Sequence, residues 1–114
     1  MEDRMLKAIG DPKRYMLLTF MCEQAYCVGA LARKSRLSES AVSQHLKVLR
    51  EAGLVCGVKR GPYTHYSVDK AALAEVIAEL ERLRDMQPEP CEGPFTGCSE
   101  AEHIKCRAFI PEKK

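Results

Sequence analysis

No stretch of this sequence approaches the roughly 18 consecutive apolar residues of a membrane span. The opening segment, "MEDRMLKAIGD", is charged and lacks the apolar centre of a secretory signal. Both absences point to a cytoplasmic chain with no membrane partner. Structural disulfides are disfavoured there, and a single domain of 114 residues does not need them to fold. The six cysteines are therefore read as thiols that are free, bind something or sense redox state. The chain has no internal repeat, nucleophile elbow, phosphate loop or metallohydrolase signature. No histidine–carboxylate pattern stands beside a cysteine, so an enzyme is not expected.

A large net charge is missing too, since the formal value is only +2. The charge is unevenly placed, however. Between Arg33 and Lys70 stand eight bases, Arg33, Lys34, Arg36, Lys47, Arg50, Lys59, Arg60 and Lys70, against three acids, Glu39, Glu51 and Asp69. Such a local excess suits a phosphate-facing surface, and equally a solvated basic face.

The helix signals are clear. In "GDPKRYMLLTFMCE", Asp11 is placed to cap a helix and Pro12 to occupy its first position. Met16, Leu17, Leu18, Phe20 and Met21 suit a buried helix. "CVGALARKSR" predicts a shorter one. Leu37-Ser38 breaks the chain, with Ser38 as the next cap. "ESAVSQHLKVLREAG" then predicts a helix ended by Gly53. Its apolar residues Val42, Leu46, Val48 and Leu49 lie mainly on one face, and Ser40, Ser43, Gln44, Lys47 and Glu51 on the other.

The period changes in "LVCGVKRGPYTHYSVD". Val55, Cys56 and Val58, and then Tyr63, His65, Tyr66 and Val68, flank the turn signal Arg60-Gly61-Pro62, which predicts a β-hairpin. "DKAALAEVIAELERLRDM" predicts a helix with Asp69 near its cap. Its stripe of Leu73, Val76, Ile77, Leu80 and Leu83 fits either intramolecular core or a dimer seam. Gln87-Pro88-Glu89-Pro90 ends that helix. The division expected is a domain over residues 1–86 and a Cys-containing tail over residues 87–114.

Two short helices, a tight turn, a helix with a small polar face and a basic hairpin make a mainly α, winged helix-turn-helix fold. Double-stranded operator DNA is the expected partner. Gln44 can contact an adenine edge bidentately, and Lys47 can reach guanine or phosphate. Ser38 and Ser40 offer hydroxyl and N–H groups to a phosphate. Ser43 belongs to the same face, and His45 is the weakest member of the set. Lys59 and Arg60 at the hairpin tip, with Tyr63 and His65, are candidates for the neighbouring backbone or minor groove.

The strings "AIGDPKRYMLL", "LSESAVSQHLKVLREAGLV" and "GPYTHYSV", in this order from about Leu6 to Leu83, resemble the ArsR/SmtB family of metal- and redox-responsive repressors. The resemblance implies a homodimer built on the first and last helices of the domain. It also implies operator binding without effector and release when an inducer binds. Three departures are informative. The turn residue before Leu37, often Gly in that family, is Arg36 here, and a positive φ would strain it. The family's zinc or nickel motif would fall on Lys70, Ala72, Leu83 and Met86, none of which is a ligand. The Cys-Val-Cys element used for arsenic, lead or cadmium is half present, as Cys27-Val28-Gly29.

The remaining question is "CEGPFTGCSEAEHIKC", residues 91–106. Cys56 reads as a buried small hydrophobe. Cys22 and Cys27 divide between packing and ligation. Cys91, Cys98 and Cys106 have little apolar material around them, so they are either incidental to the tail or ligands. Thiolates select soft ions, with As(III) first, then cadmium, lead or zinc, and an iron–sulfur cluster or thiol redox chemistry as another class. Ser99-x-x-Glu102 is a capping box that predicts a short helix through about Arg107. Cys98 and Cys106 would then stand about 10–12 Å apart, too far for one ion without local unfolding. Cys91 and Cys98 can meet through a loop containing Gly93, Pro94 and Gly97, with Cys106, Cys22 or Cys27 as a third ligand. His103 and Cys106 are a weaker pair. The function expected is a repressor released from DNA by a thiophilic ligand. The alternatives are a redox or iron–sulfur regulator of the same fold, or a winged-helix protein-interaction module.

Overall fold

The computed structural model describes residues 3–89 and 99–108. The elements are α1 (Asp3–Ile9), α2 (Pro12–Glu23), α3 (Val28–Ser35), α4 (Glu39–Glu51), β1 (Val55–Arg60), β2 (Tyr63–Val68), α5 (Lys70–Asp85) and α6 (Glu100–Ala108). They fall into two compact units, Met1–Arg84 and Asp85–Lys114. The first has the winged helix-turn-helix order of helices and hairpin. Among the described residues no helix is long and apolar enough to cross a membrane.

Local chemistry sets most boundaries. The Asp11 carboxylate accepts from the N–H groups of Lys13 at 2.9 Å and Arg14 at 3.1 Å, which starts α2 with Pro12 in its first turn. Those bonds, the Arg14 N–H foremost, hold the Asp11 pKa below the ordinary carboxylate range, against a smaller opposing effect of desolvation. A lowered folded value means that this stabilisation is complete at neutral pH and is lost as pH falls through it. Ser38 Oγ accepts from Ala41 N–H at 3.0 Å and starts α4. Gly53 follows α4 with φ +78°, the left-handed stop that its sequence position predicts.

Helix α1 was not marked by any local signal, and the structure adds it to the expected elements. Its last turn is closed from a distance. Arg14 Nε donates to the Ala8 carbonyl at 2.7 Å and Arg14 Nη2 to the Lys7 carbonyl at 3.1 Å. A cation at a helix C-terminus satisfies its free carbonyls and complements its dipole. Ala8 is fully buried, with Met5 and Ile9 packed against the core.

The core runs through every element of the first unit. Leu17, Leu31, Val42, Leu49 and Leu54 are its fully buried large side chains, joined by Leu18, Met21 and Leu46 from the helices and by Val55, Val68 and Val76. On α5 only Ala72 and Val76 are buried and Leu73 is half-buried, whereas Ile77, Leu80 and Leu83 are about half exposed. Part of the stripe is therefore core, and the rest is an uncovered apolar face.

The hairpin pairs antiparallel from Val55 with Val68 to Arg60 with Tyr63. Arg60 belongs to β1, so the turn is the two residues Gly61-Pro62 rather than the three expected. Gly61 has φ +59°, the one positive central φ of a type II′ turn, whose twist matches that of the strands. The loop before α3 joins the hairpin: Tyr26 N–H donates to the Tyr66 carbonyl at 3.2 Å, and Tyr66 N–H to the Tyr26 carbonyl at 2.8 Å. Lys34 Nζ stands 5.3 Å from the ring centres of both Phe20 and Tyr26, within cation–π range. In the second unit, Ser99 Oγ accepts from Glu102 N–H at 3.2 Å and opens α6, as its capping box predicts.

Arg36 is the one non-glycine residue with positive φ among the described residues, at φ 62°, ψ 23°, between α3 and α4. Left-handed geometry costs a residue with Cβ about 1–2 kcal/mol, part of which glycine returns through its greater freedom when unfolded. Arg36→Gly is expected to raise stability by about 0.5–1 kcal/mol in urea unfolding, with an unchanged or lower midpoint as the contrary result.

Candidate nucleic-acid interface

Helix α4 is anchored by one face and open on the other. Val42, Leu46 and Leu49 are buried, and Ser40, Ser43, Gln44 and Lys47 are exposed on the opposite side. One expectation is corrected on its flank. Val48 is exposed, because it lies beside the core-facing stripe and lines a shallow recess with Arg4 and Lys7 of α1. His45 is half-buried, and its charge contributes to holding the Asp11 pKa down.

The exposed face of α4 is chemically suited to base edges. The Gln44 amide has a donor and an acceptor side by side, the pattern that matches adenine in a major groove. Lys47 and Ser40 add a charge and a hydroxyl one turn away on either side. Ser38 Oγ accepts the capping N–H and keeps its own O–H to donate.

On the hairpin, the register separates the expected contacts by face. Arg60 pairs with Tyr63 and Val58 with His65, so these four share one face. Lys59 pairs with Thr64 on the other, the face that carries buried Val55 and Val68 toward the core. Lys59, Arg60 and Tyr63 are exposed, and His65 is half-buried. The two bases thus straddle the tip instead of forming one patch.

The thiols divide differently from expectation. Cys56 is exposed rather than buried, with Sγ 3.7 Å from Ser67 Oγ. It shares the outward face of β1 with Val58 and Arg60, and strand alternation gives the physical reason. Cys22 is exposed at the end of α2 and lines an apolar recess of about 430 Å3 with Ile9, Tyr15, Leu18 and Leu73. Cys27 is half-buried as the N-cap of α3, makes no side-chain cap bond, and lines a separate cleft. Among the described residues, no three His, Cys, Asp or Glu side chains come together as a metal site. Cys91 and Cys98 lie outside the described residues. Cys106 and His103 fall within α6, and their side chains also lie outside what is described.

Comparison with known proteins agrees with this geometry. The bacterial regulatory protein, arsR family, matches residues 11–56, which run from the cap of α2 into β1. The HTH-type transcriptional regulator Rv2034 of Mycobacterium tuberculosis is 39% identical over 81 residues, covering 71% of this chain and 76% of that protein. An ArsR-like transcriptional regulator from Rhodococcus sp. RHA1 superposes with a TM-score of 0.67 at 30% identity, over 71% of this chain and 74% of its own. A structure described as a possible transcriptional regulator for arsenical resistance gives 0.62 at 34% identity, over 78% and 100%.

Base reading by α4 and backbone contact by the hairpin separate by mutation. Gln44→Ala is expected to relax preference at one base position by about 1–3 kcal/mol. Arg60→Ala is expected to weaken binding to all duplexes and to flatten its salt dependence. Wild-type binding by both variants in a competition titration would remove the assignment.

Proposed function

This chain belongs to the arsR family of bacterial regulatory proteins and is a DNA-binding transcriptional regulator, not an enzyme; from that premise we propose that it is a homodimeric repressor released from its operator by a thiophilic ligand. The observation that carries the DNA reading is the single exposed polar face of α4 beside the exposed bases of the hairpin.

The dimer reading is supported by α5. Ile77, Leu80 and Leu83 form an uncovered apolar stripe, and its N-terminal neighbour Leu73 also lines the apolar recess with Ile9 and Tyr15. Burying one such side chain is worth about 1.5–3 kcal/mol, and a second copy of the same face supplies the partner for each. Ile77→Glu is expected to give monomers with much weaker operator affinity. Sedimentation of the wild type as a monomer at micromolar concentration would contradict the reading.

The ligand reading is supported by chemistry and spacing. Cys91, Cys98 and Cys106 are three soft donors in one short segment, which suits As(III) first and cadmium, lead or zinc next. The solved structure described as a possible regulator for arsenical resistance belongs to a relative 34% identical. A ligand releases DNA only by binding the DNA-incompetent arrangement more tightly. A coupling of about 1–3 kcal/mol corresponds to a roughly 5–150-fold fall in operator affinity. Cys91→Ser and Cys98→Ser are each expected to bind operator normally and to lose release by arsenite in an anisotropy titration. Cys56→Ser, which changes a thiol set against Ser67, is expected to retain it. Arsenite release that survives both tail substitutions would move the sensor to Cys22 and Cys27. Release by an oxidant and not by arsenite would favour thiol redox chemistry instead.

A further inference from the structure

Between α3 and the hairpin lies a cleft of about 580 Å3 lined on one side by Gly29 and Arg33, on the other by Tyr63 and Thr64, and also by Glu39, the first residue of α4. Nothing in the sequence pattern separates Arg33 from its basic neighbours Lys34 and Arg36. The structure does. Lys34 is directed to the Phe20 and Tyr26 rings, and Arg36 occupies the turn. Arg33 sits one helical turn after Gly29, and helical side chains lean toward the N-terminus. A Cβ at Gly29 would meet Arg33 Nη1 at 3.4 Å and Glu39 Oε1 at 3.7 Å. The guanidinium therefore lies back over the first turn of α3, within the cleft. It is exposed and forms no ion pair with Glu39 or any other described residue.

We infer that this cleft receives a backbone phosphate of bound duplex DNA, with Arg33 as its cationic ligand and the Thr64 hydroxyl as a donor from the hairpin side. The inference rests on the reading of α4 and the hairpin as the DNA-contacting elements. A duplex that touches both passes the start of α4, whose first residue, Glu39, lines this cleft together with the hairpin residues Tyr63 and Thr64. A guanidinium offers a planar fork of donors matched to phosphate oxygens. Half to two-thirds of protein–DNA hydrogen bonds go to phosphate and sugar, so a regulator of this kind needs such anchors beyond its base-reading residues. Glu39 acts in the opposite sense. Its carboxylate shares the cleft and repels the same phosphate, although an acid in the first turn of α4 is favoured by the helix dipole. The two residues therefore give effects of opposite sign.

The test uses the full chain and two duplexes of equal length, one selected by the wild type from a randomised pool and one unrelated. Affinities are measured over a series of salt concentrations, with melting curves as the fold control. Arg33→Ala is expected to bind both duplexes several-fold more weakly, and the slope of log K against log salt is expected to shrink by about 0.9, the value of one phosphate contact. Glu39→Gln is expected to bind both more tightly. An Arg33→Ala protein with wild-type melting and a wild-type salt slope overturns the inference. So does a loss confined to the selected duplex, because a backbone contact carries no base preference. Gln44→Ala and Arg60→Ala report separately on α4 and the hairpin, so failure of the cleft and failure of the DNA reading are distinguishable.

Discussion

One-sided burial of α4 is the constraint on which the reading surface depends. Val42, Leu46 and Leu49 are between 0% and 3% exposed, and each contributes about 1.5–3 kcal/mol when fully buried. The helix cannot rotate by one position without drawing Ser43 or His45 into the core and expelling a leucine. Gln44 and Lys47 are outward for that reason, not because of any contact of their own. The tight turn before the helix follows from the same packing. Leu31 on α3 and Val42 on α4 share one core, which leaves so little chain between the helices that Arg36 adopts a left-handed conformation.

The hairpin is held to this helical platform rather than extended from it. Val55 and Val68 sink one end into the core. The Tyr26–Tyr66 backbone pair and the bond from Asp69 N–H to the Leu54 carbonyl at 2.8 Å fix its base. Lys34, between two rings, ties α3 to α2 and to the segment that pairs with β2. Helix and wing therefore present their exposed groups at a set spacing. That preorganisation lets weak individual contacts add up on a duplex, since little ordering entropy remains to be lost on binding.

Much of this was legible from local chemistry. Asp11-Pro12, Ser38, Gly53 and Gly61 each act within three or four residues of chain, and each does what its type requires. What escaped depends on distant partners. Helix α1 is closed by Arg14 from the next helix, and no local pattern carries that information. Val48 sits beside the apolar stripe of α4, where a helical period is too coarse to say which side of a residue is covered. Cys56 looked apolar by composition, but strand alternation turns it outward with Arg60. Arg33 could not be separated from Lys34 by sequence, because the difference lies in the rings over one and the bare Gly29 beneath the other. Ser99 and its helix were legible. The placement of Cys91 and Cys98 lies outside the described residues.

The central claim is that the outward face of α4 and the tip of the hairpin together meet DNA. Amide chemical shifts of the isotopically labelled full chain, followed while a selected duplex is added, test it most directly. The account predicts that the largest changes fall at Ser40–Lys47 and Lys59–Tyr63, with Arg33 and Gly29 moving alongside them, while Leu80 and Leu83 change little. Changes concentrated on Ile77–Leu83 or on α1, with α4 unmoved, would contradict it.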